Sequence, residues 1–363
     1  MVGVDSWELV VLVPPGLEPA LVAELKALGL EAQADAGAAR VRGGLDALVH
    51  IHTWSRLAIR VLVRLGRVRA RTLEELATGL RSMPWKSWVI PSQPIEVEVT
   101  LSQSKLRRDT VPRKVELAIT DALRGPRLPG PRPPREPATV HVRIQGDHAE
   151  ISVDASGERL TVRGWREATA KAPLRENLGA AMLQIAGWDG AEPLVDPMCG
   201  SGTLIIEGAR RAAGLPPRLS RVYAWERFPL AAGRRHAEPP QPVATGTLLG
   251  FDRDAGAVRS ATSNAERARV GQRVRFAASR FDELEPPAPT GLLVANPPWG
   301  LRIGDGEQVP FRRWGALLRD RWSGWRAAWL VPQTVGPREL GWGKVAARFE
   351  SGGVHVQVVL GEL

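Results

Sequence analysis

Apolar positions along the chain follow two regimes. Up to about residue 160 they alternate or recur on one helical face; beyond Pro193 they gather in short runs separated by glycine turns. Trp7 to Val13 is apolar and β-branched, which predicts a strand, and Pro14-Pro15-Gly16 breaks it. Leu17, Leu21, Leu25 and Leu28 then share one face of a helix that Gly29 ends. Short strands and a helix to about Gly66 complete a small α+β unit, 1–66. A second unit, 67–160, opens on Thr72 and Glu75 at capping-box spacing. Ile95 to Thr100 alternates strictly, as a half-buried strand does. Lys105 to Leu123 reads as a basic amphipathic helix with Val115, Ile119 and Leu123 inward. Gly125 to Pro137 reads as a proline- and arginine-rich loop. Val140–Ile144 and Ala149–Val153 read as a hairpin around Gln145-Gly146-Asp147.

In the third unit, 161–363, strands and helices alternate. Helices are expected over Ala172–Ile185, Thr203–Ala213 and Ala255–Arg269. Strands are expected over Pro193–Asp196, Thr247–Asp252, Val274–Ala277, Gly291–Ala295, Trp325–Val331 and Val354–Leu360. Strands buried on both faces and joined by helices predict an α/β fold with a parallel, doubly wound, Rossmann-like sheet. A proline-rich insertion, Leu215 to Val243, lengthens its first crossover.

Composition narrows the class. A chain of 363 residues suits two or three domains, and 44% hydrophobic with 24% charged residues excludes disorder for most of it. The single cysteine, Cys199, excludes a disulfide framework and any multi-cysteine metal centre, and the six histidines show no ligand spacing, so no metal is expected. No run of about 18 apolar residues occurs, so no membrane span is expected. Asp5 and Glu8 precede the first apolar run where a secretory signal would be basic, which points to the cytoplasm. The net charge is +10, and the excess is concentrated in residues 51–135 while residues 1–50 are acidic. Such clustering predicts a polyanion-facing surface, with Arg107, Arg108, Arg113 and Lys114 as its candidate contacts.

Two motifs carry chemistry. Asp196-Pro197-Met198-Cys199-Gly200-Ser201-Gly202-Thr203 joins a strand to a helix, and its glycines let backbone N–H groups approach a ligand. Ile205 stands where a dinucleotide fingerprint wants its third glycine, and Asp196 would repel a pyrophosphate. A nucleoside with a cationic or zwitterionic tail fits better: S-adenosylmethionine (SAM), with Asp196 near its ammonium. Asp252 ends the next strand and can take both ribose hydroxyls, while Asp254 caps the following helix. Asn296-Pro297-Pro298-Trp299 then follows a buried strand. The Asn296 side-chain carbonyl and the Pro297 backbone carbonyl are two acceptors for the hydrogens of a flat exocyclic amine, and Trp299 offers a stacking face for an extruded base. Cys199 lies in the cofactor loop with no histidine nearby and reads as a packing residue.

These motifs, in this order, resemble the THUMP-domain guanine-N2 RNA methyltransferases. The resemblance includes Ala172-Pro173-Leu174-Arg175-Glu176-Asn177-Leu178, Pro15-Gly16-Leu17-Glu18, Arg71-Thr72-Leu73-Glu74-Glu75-Leu76 and Arg163-Gly164-Trp165-Arg166. It implies a ferredoxin-like domain (1–66), a THUMP RNA-binding domain (67–160) and a SAM-dependent methyltransferase domain (161–363). It implies methylation of a guanosine N2 in structured RNA, 23S rRNA before tRNA. By the same resemblance Asn177, Asp196, Met198, Gly200, Gly202, Asp252, Arg253, Ser279 and Asp282 would surround the cofactor, and Asn296, Pro297 and Trp299 the target amine. The chain departs from the family's pattern at Arg253, at Ser279, where the family has an acid, and at Ser351-Gly352-Gly353. Competing readings are adenine methylation in DNA and a catalytically silent RNA-binding or ribosome-assembly factor.

Overall fold

The computed structural model describes residues 6–124, 134–167, 174–219, 221–233, 246–299 and 310–363. Most of the Gly125–Pro137 loop, Ala172, Pro173, Gly300, and Ser220 with the C-terminal end (234–243) of the Leu215–Val243 insertion lie outside those residues.

The N-terminal strands are β1 (Trp7–Leu12), β2 (Ala32–Asp35), β3 (Ala38–Gly43), β4 (Arg60–Arg69), β5 (Ile95–Ser102), β6 (Ala138–Gln145) and β7 (His148–Asp154). Among the described residues they form one sheet in the order β2-β3-β1-β4-β7-β6-β5. The units expected at 1–66 and 67–160 are thus continuous through the β4–β7 pairing, which runs from Leu62↔Asp154 to Arg69↔His148. Helices α1 (Glu18–Ala27), α2 (Leu45–Trp54), α3 (Leu73–Arg81) and α4 (Val111–Leu123) accompany this sheet. At α3 the Thr72 side chain accepts from the Glu75 N–H at 3.2 Å, and the Glu75 carboxylate accepts from the Arg71 N–H at 3.1 Å, so two otherwise orphaned donors are satisfied.

One expected helix is shorter than its pattern suggests. The basic helix starts at Val111, not Lys105, because Pro112 has no N–H to donate and is tolerated only in the first turn. Lys105, Arg107 and Arg108 therefore sit on the turn before it. Val115, Ile119 and Leu123 are buried as expected.

The C-terminal strands are β8 (Leu194–Asp196), β9 (Leu248–Asp252), β10 (Arg275–Ala278), β11 (Leu292–Ala295), β12 (Arg326–Pro332), β13 (Lys344–Ser351) and β14 (Val354–Glu362). Their order is β10-β9-β8-β11-β12-β14-β13. From β10 to β12 neighbours are parallel, while β14 and β13 run antiparallel at the far edge. Strand β13, which the hydrophobic pattern did not predict, makes a hairpin with β14 through the two-residue turn Gly352-Gly353. Helices α5 (Glu176–Ile185), α6 (Thr203–Ala212), α7 (Ala255–Arg267), α8 (Phe311–Arg321) and α9 (Pro337–Leu340) complete this half. α5 begins at Glu176 rather than Ala172, since Arg175 is extended (ψ 143°).

Both faces of the second sheet are covered. One side packs into a core continuous with that of the N-terminal half, and the other rests on a tryptophan-rich cluster that includes Trp322, Trp325, Trp329 and Trp342. The two halves are also locked by buried charge. Arg163, fully buried, donates to the Glu207 carboxylate of α6 at 3.0 Å and to the Leu160 carbonyl at 2.8 Å. Arg56, from the N-terminal half, lies 3.6 Å from the other Glu207 oxygen. Removing one partner of such a set leaves an uncompensated buried charge, so Glu207→Ala should destabilise the fold by about 3–5 kcal/mol. Urea unfolding measures it, and a loss within the error of the extrapolation would show that the network contributes nothing.

Candidate functional site

The site is assembled at the carboxyl ends of β9, β8 and β11. These are adjacent parallel strands, with Asp196 level with Gly250 and Val195 level with Leu293. Neighbouring strands lie about 4.8 Å apart, so the three strand ends span roughly 10 Å, close to the length of a nucleoside. Asp196, Asp252 and Asn296 are thereby brought to one edge of the sheet from residues up to a hundred positions apart.

The loop after β8 is built to leave its backbone bare. Gly200 has φ +52° and Gly202 φ +85°, and Gly202 is the residue before the first turn of α6. A Cβ at Gly200 would meet nothing within 4 Å, so space lies open above that peptide. A Cβ at Gly202 would come within 3.0 Å of the Ala261 Cβ and the Phe276 ring, which is too close. Gly202→Ala should therefore cost about 1–3 kcal/mol, seen as a lowered Tm, whereas Gly200→Ala carries only the smaller left-handed penalty of about 1 kcal/mol. Equal losses at the two positions would contradict this account of the turn.

Asp252 ties the loop to the next strand. Its Oδ2 accepts from the Gly200 N–H at 2.9 Å and its Oδ1 from the Asp254 N–H at 2.9 Å, while Asp254 itself caps α7 by accepting from the Gly256 N–H at 2.7 Å. Asp196 is buried and accepts from the Met198 N–H at 3.0 Å. Burial, reinforced by the charge of Asp252, pushes its pKa up to about 8. A buried carboxyl held neutral at pH 7 is ready to ionise when a cation arrives. Burial likewise raises the Cys199 thiol, with Asp196 and Asp252 adding to it, which suits a packing role and not a nucleophile.

Past β11, Asn296 is half-buried and Pro297 buried. The Asn296 Oδ1 is shielded from solvent and accepts no hydrogen bond among the described residues. The Trp299 indole N–H donates to the Leu330 carbonyl of β12 at 3.2 Å, which pins the ring beside the strand.

The remaining expected residues are placed less centrally. Asn177 is buried, and its amide N–H points at the Leu57 carbonyl of the N-terminal half at 3.5 Å. Arg253 is exposed. Ser279 extends β10, its N–H donating to the Asp252 carbonyl at 3.0 Å. Asp282 is held by Arg280 in a two-pronged pair at 3.0 Å, and that pairing draws its pKa down. Arg107 pairs with Asp109 at 2.7 Å and Lys114 with Glu74; Arg108 and Arg113 are exposed and have no ion pair among the described residues. Arg166, quoted in the Arg163-Gly164-Trp165-Arg166 motif but given no role at the site, donates to Glu176 at 2.9 Å, to the Leu174 carbonyl at 2.9 Å and to Thr203 Oγ1 at 2.7 Å. It clasps α5 to the start of α6. The motif marks the residue, but its partners Glu176 and Thr203 come from later in the chain and are not visible in it.

A glycine turn that exposes its peptides, flanked by strands ending in carboxylates and by an amide oxygen without a hydrogen bond among the described residues, on a doubly covered parallel sheet, defines a Rossmann-like methyltransferase with an N-terminal ferredoxin-like extension. Residues 163–313 match the "RMKL-like, methyltransferase domain" family and residues 8–62 the "RlmL ferredoxin-like domain" family. A "Putative RNA methyltransferase" of Synechocystis is 30% identical over 86% of this chain and 85% of its own length. The chain belongs to the RMKL-like methyltransferase family. "Ribosomal RNA large subunit methyltransferase K/L" of Methylococcus capsulatus is 36% identical over 88% of this chain and 46% of its own length, so the chain spans about half of that relative. Among solved structures, "a putative methyltransferase complexed with SAH" superposes with a TM-score of 0.84 at 25% identity, covering 98% of each chain. A "predicted N6-adenine-specific DNA methylase" from Listeria monocytogenes superposes with a TM-score of 0.83 at 26% identity, covering 99% of this chain and 97% of that one.

Proposed function

We propose that the chain transfers a methyl group from SAM to the exocyclic N2 amine of a guanosine in structured RNA, with 23S rRNA the favoured substrate over tRNA. The observation that carries this reading is the shielded Oδ1 of Asn296, without a hydrogen bond among the described residues, at the edge where the glycine turn also opens. A shielded acceptor without a donor costs free energy unless a ligand supplies one. An amine hydrogen is such a donor. With Pro297 as second acceptor and Trp299 as stacking face, the amine nitrogen is held so that its lone pair leaves conjugation and meets the methyl carbon. SAM supplies an electrophilic methyl on a good leaving group; the protein's part is positioning and electrostatics.

Met198, Gly200 and Gly202 form the cofactor cradle, Asp196 meets the ammonium and Asp252 the ribose. Asn177, Arg253, Ser279 and Asp282 line its margin. The N-terminal half, including the expected THUMP domain (67–160), grips RNA. No helix among the described residues is long and apolar enough to cross a membrane, and we place the reaction in the cytoplasm, where ribosomal RNA is made.

The test is transfer of labelled methyl from SAM followed by digestion to nucleosides. N2-methylguanosine from RNA is the expected product. N6-methyl-2′-deoxyadenosine from DNA would favour adenine methylation instead, the activity predicted for the Listeria protein of similar fold. No product and no SAM heat in calorimetry would leave a silent RNA-binding factor.

RNA affinity should fall steeply with salt. Each phosphate contact contributes roughly 0.7–0.9 to the slope of log K against log salt. Since Arg107 and Lys114 already hold carboxylates, Arg108→Gln with Arg113→Gln should flatten the slope nearly as much as neutralising all four. A slope unmoved by the quadruple variant would place the RNA elsewhere.

A further inference from the structure

A groove of about 940 Å³ lies at the opposite edge of the methyltransferase sheet from the β13–β14 hairpin, between the C-terminal turn of α7 and the free edge of β10. It is not the cofactor cradle. Its rim carries Arg269, Arg273 and Arg275, all exposed, and among the described residues none has an ion pair. Glu266 is the one acid on its lining, and Phe276 is half-buried in it.

We propose that this groove is a second RNA-backbone track, which holds the strand flanking the target guanosine; it rests on the reading of the chain as an RNA methyltransferase. Three arguments favour RNA. Free guanidiniums with a single acid among them form a net positive channel, complementary to phosphates and not to a neutral peptide. Arg273 closes a short helical turn (Gly271–Arg273) and Arg275 opens β10, so two exposed forks stand side by side where the strand begins and neighbouring phosphates can each meet one. An open strand edge invites an added peptide strand, but Arg275 opens β10 and Arg273 precedes it, and charge at such an edge opposes that pairing. The groove also ends well. It rises along β10 to Ala277, two residues before Ser279, at the edge of the sheet where Asp252 and the glycine turn lie. Asn296 lies three strand spacings from β10, roughly 14 Å, so a strand lying in the groove would reach it two or three nucleotides further on. The basic turn before α4 and this groove would then hold RNA on two sides of the target base, which fixes its direction of approach.

The experiment uses the full chain with a methyl-accepting RNA and the triple variant Arg269→Gln, Arg273→Gln, Arg275→Gln. Salt titration should show the slope of log K against log salt reduced by about 2 relative to wild type. The RNA KM should rise by about tenfold or more at moderate salt, with kcat at saturating RNA and SAM affinity unchanged. The increase should vanish when the acceptor RNA is trimmed of its flanking nucleotides, because the trimmed substrate never reaches the groove. A merely destabilised variant would lose SAM affinity and kcat as well. If wild type methylates RNA but the triple variant shows the same slope and KM, the groove is not an RNA track and a protein strand on β10 becomes the occupant to look for. If wild type neither binds nor methylates RNA, the functional reading fails and this proposal falls with it.

Discussion

Asn296→Ala should lower kcat for methyl transfer by about 10²–10³-fold, the cost typical of deleting one preorganised hydrogen-bonding group at a reacting centre. SAM affinity should be unchanged, because Asn296 lies beyond β11 whereas the cofactor loop follows β8. Stability should not fall and can rise, since the alanine removes a shielded oxygen that accepts no hydrogen bond among the described residues. Asn296→Asp retains an acceptor and should keep more activity than the alanine. Single-turnover rates at saturating SAM and RNA, with calorimetry for SAM and thermal denaturation, measure all three. An alanine variant at wild-type rate would remove the amide from the mechanism. Equal losses in the two variants would show that geometry at this position matters more than the acceptor.

How much of this was legible in the sequence depends on whether the determinants are local. Leu292 to Ala295 is a continuous apolar run because β11 is buried on both faces, and all four residues have no exposed surface. The glycine turn and the acid that ends β9 were legible for the same reason: special backbone and charge stand out against an apolar frame. β13 did not stand out. It is an edge strand with Lys344, Arg348 and Glu350 along it, and charged edges look like loops when pairing is not visible. Nor did the single N-terminal sheet, because the β4–β7 pairing joins residues about eighty to ninety positions apart and local periodicity carries no such information. The buried joint of Arg56, Arg163 and Glu207 was equally hidden, since an arginine's burial is decided by what packs on it. Pro112 is the converse: its ring sets where α4 starts, and helical spacing alone placed that start six residues early.

Site residues divide along the same line. Asp252 was expected to hold ribose, yet the structure gives its carboxylate two backbone N–H groups as well. These leave lone pairs for hydroxyls, because a carboxylate offers about four acceptor sites. Asp252 therefore shapes the loop and, on the proposed reading, also takes the ribose, so Asp252→Ala should disturb both. Asp282 is in the opposite position. Arg280 already occupies it in a two-pronged pair, so an adenine amine would have to compete with a guanidinium.

Asp196 should couple SAM binding to proton release. In the free protein its carboxyl titrates near pH 8, so at pH 7 it is mostly protonated. The SAM ammonium favours the ionised form, and binding at pH 7 should therefore expel about one proton per SAM, read by calorimetry in buffers of different ionisation heat. SAM affinity should weaken as pH falls below 8, approaching tenfold per pH unit. S-adenosylhomocysteine keeps the ammonium and lacks the sulfonium, so it should release the same proton. The stability consequence has the opposite sense. The unfolded chain ionises this group near its ordinary 3.8, so between that value and about 8 the folded state holds a proton that the unfolded state does not. Stability contributed by this group is thus lost as pH rises through that window. Asp196→Asn keeps an acceptor for the Met198 N–H and removes the buried acid. It should raise Tm increasingly from pH 4 to pH 8 while weakening SAM by about 10²-fold, the loss expected when one partner of a buried ion pair is deleted. A flat affinity between pH 6 and 8, with no proton released, would mean that the ammonium lies elsewhere and that Asp196 serves only the turn it begins.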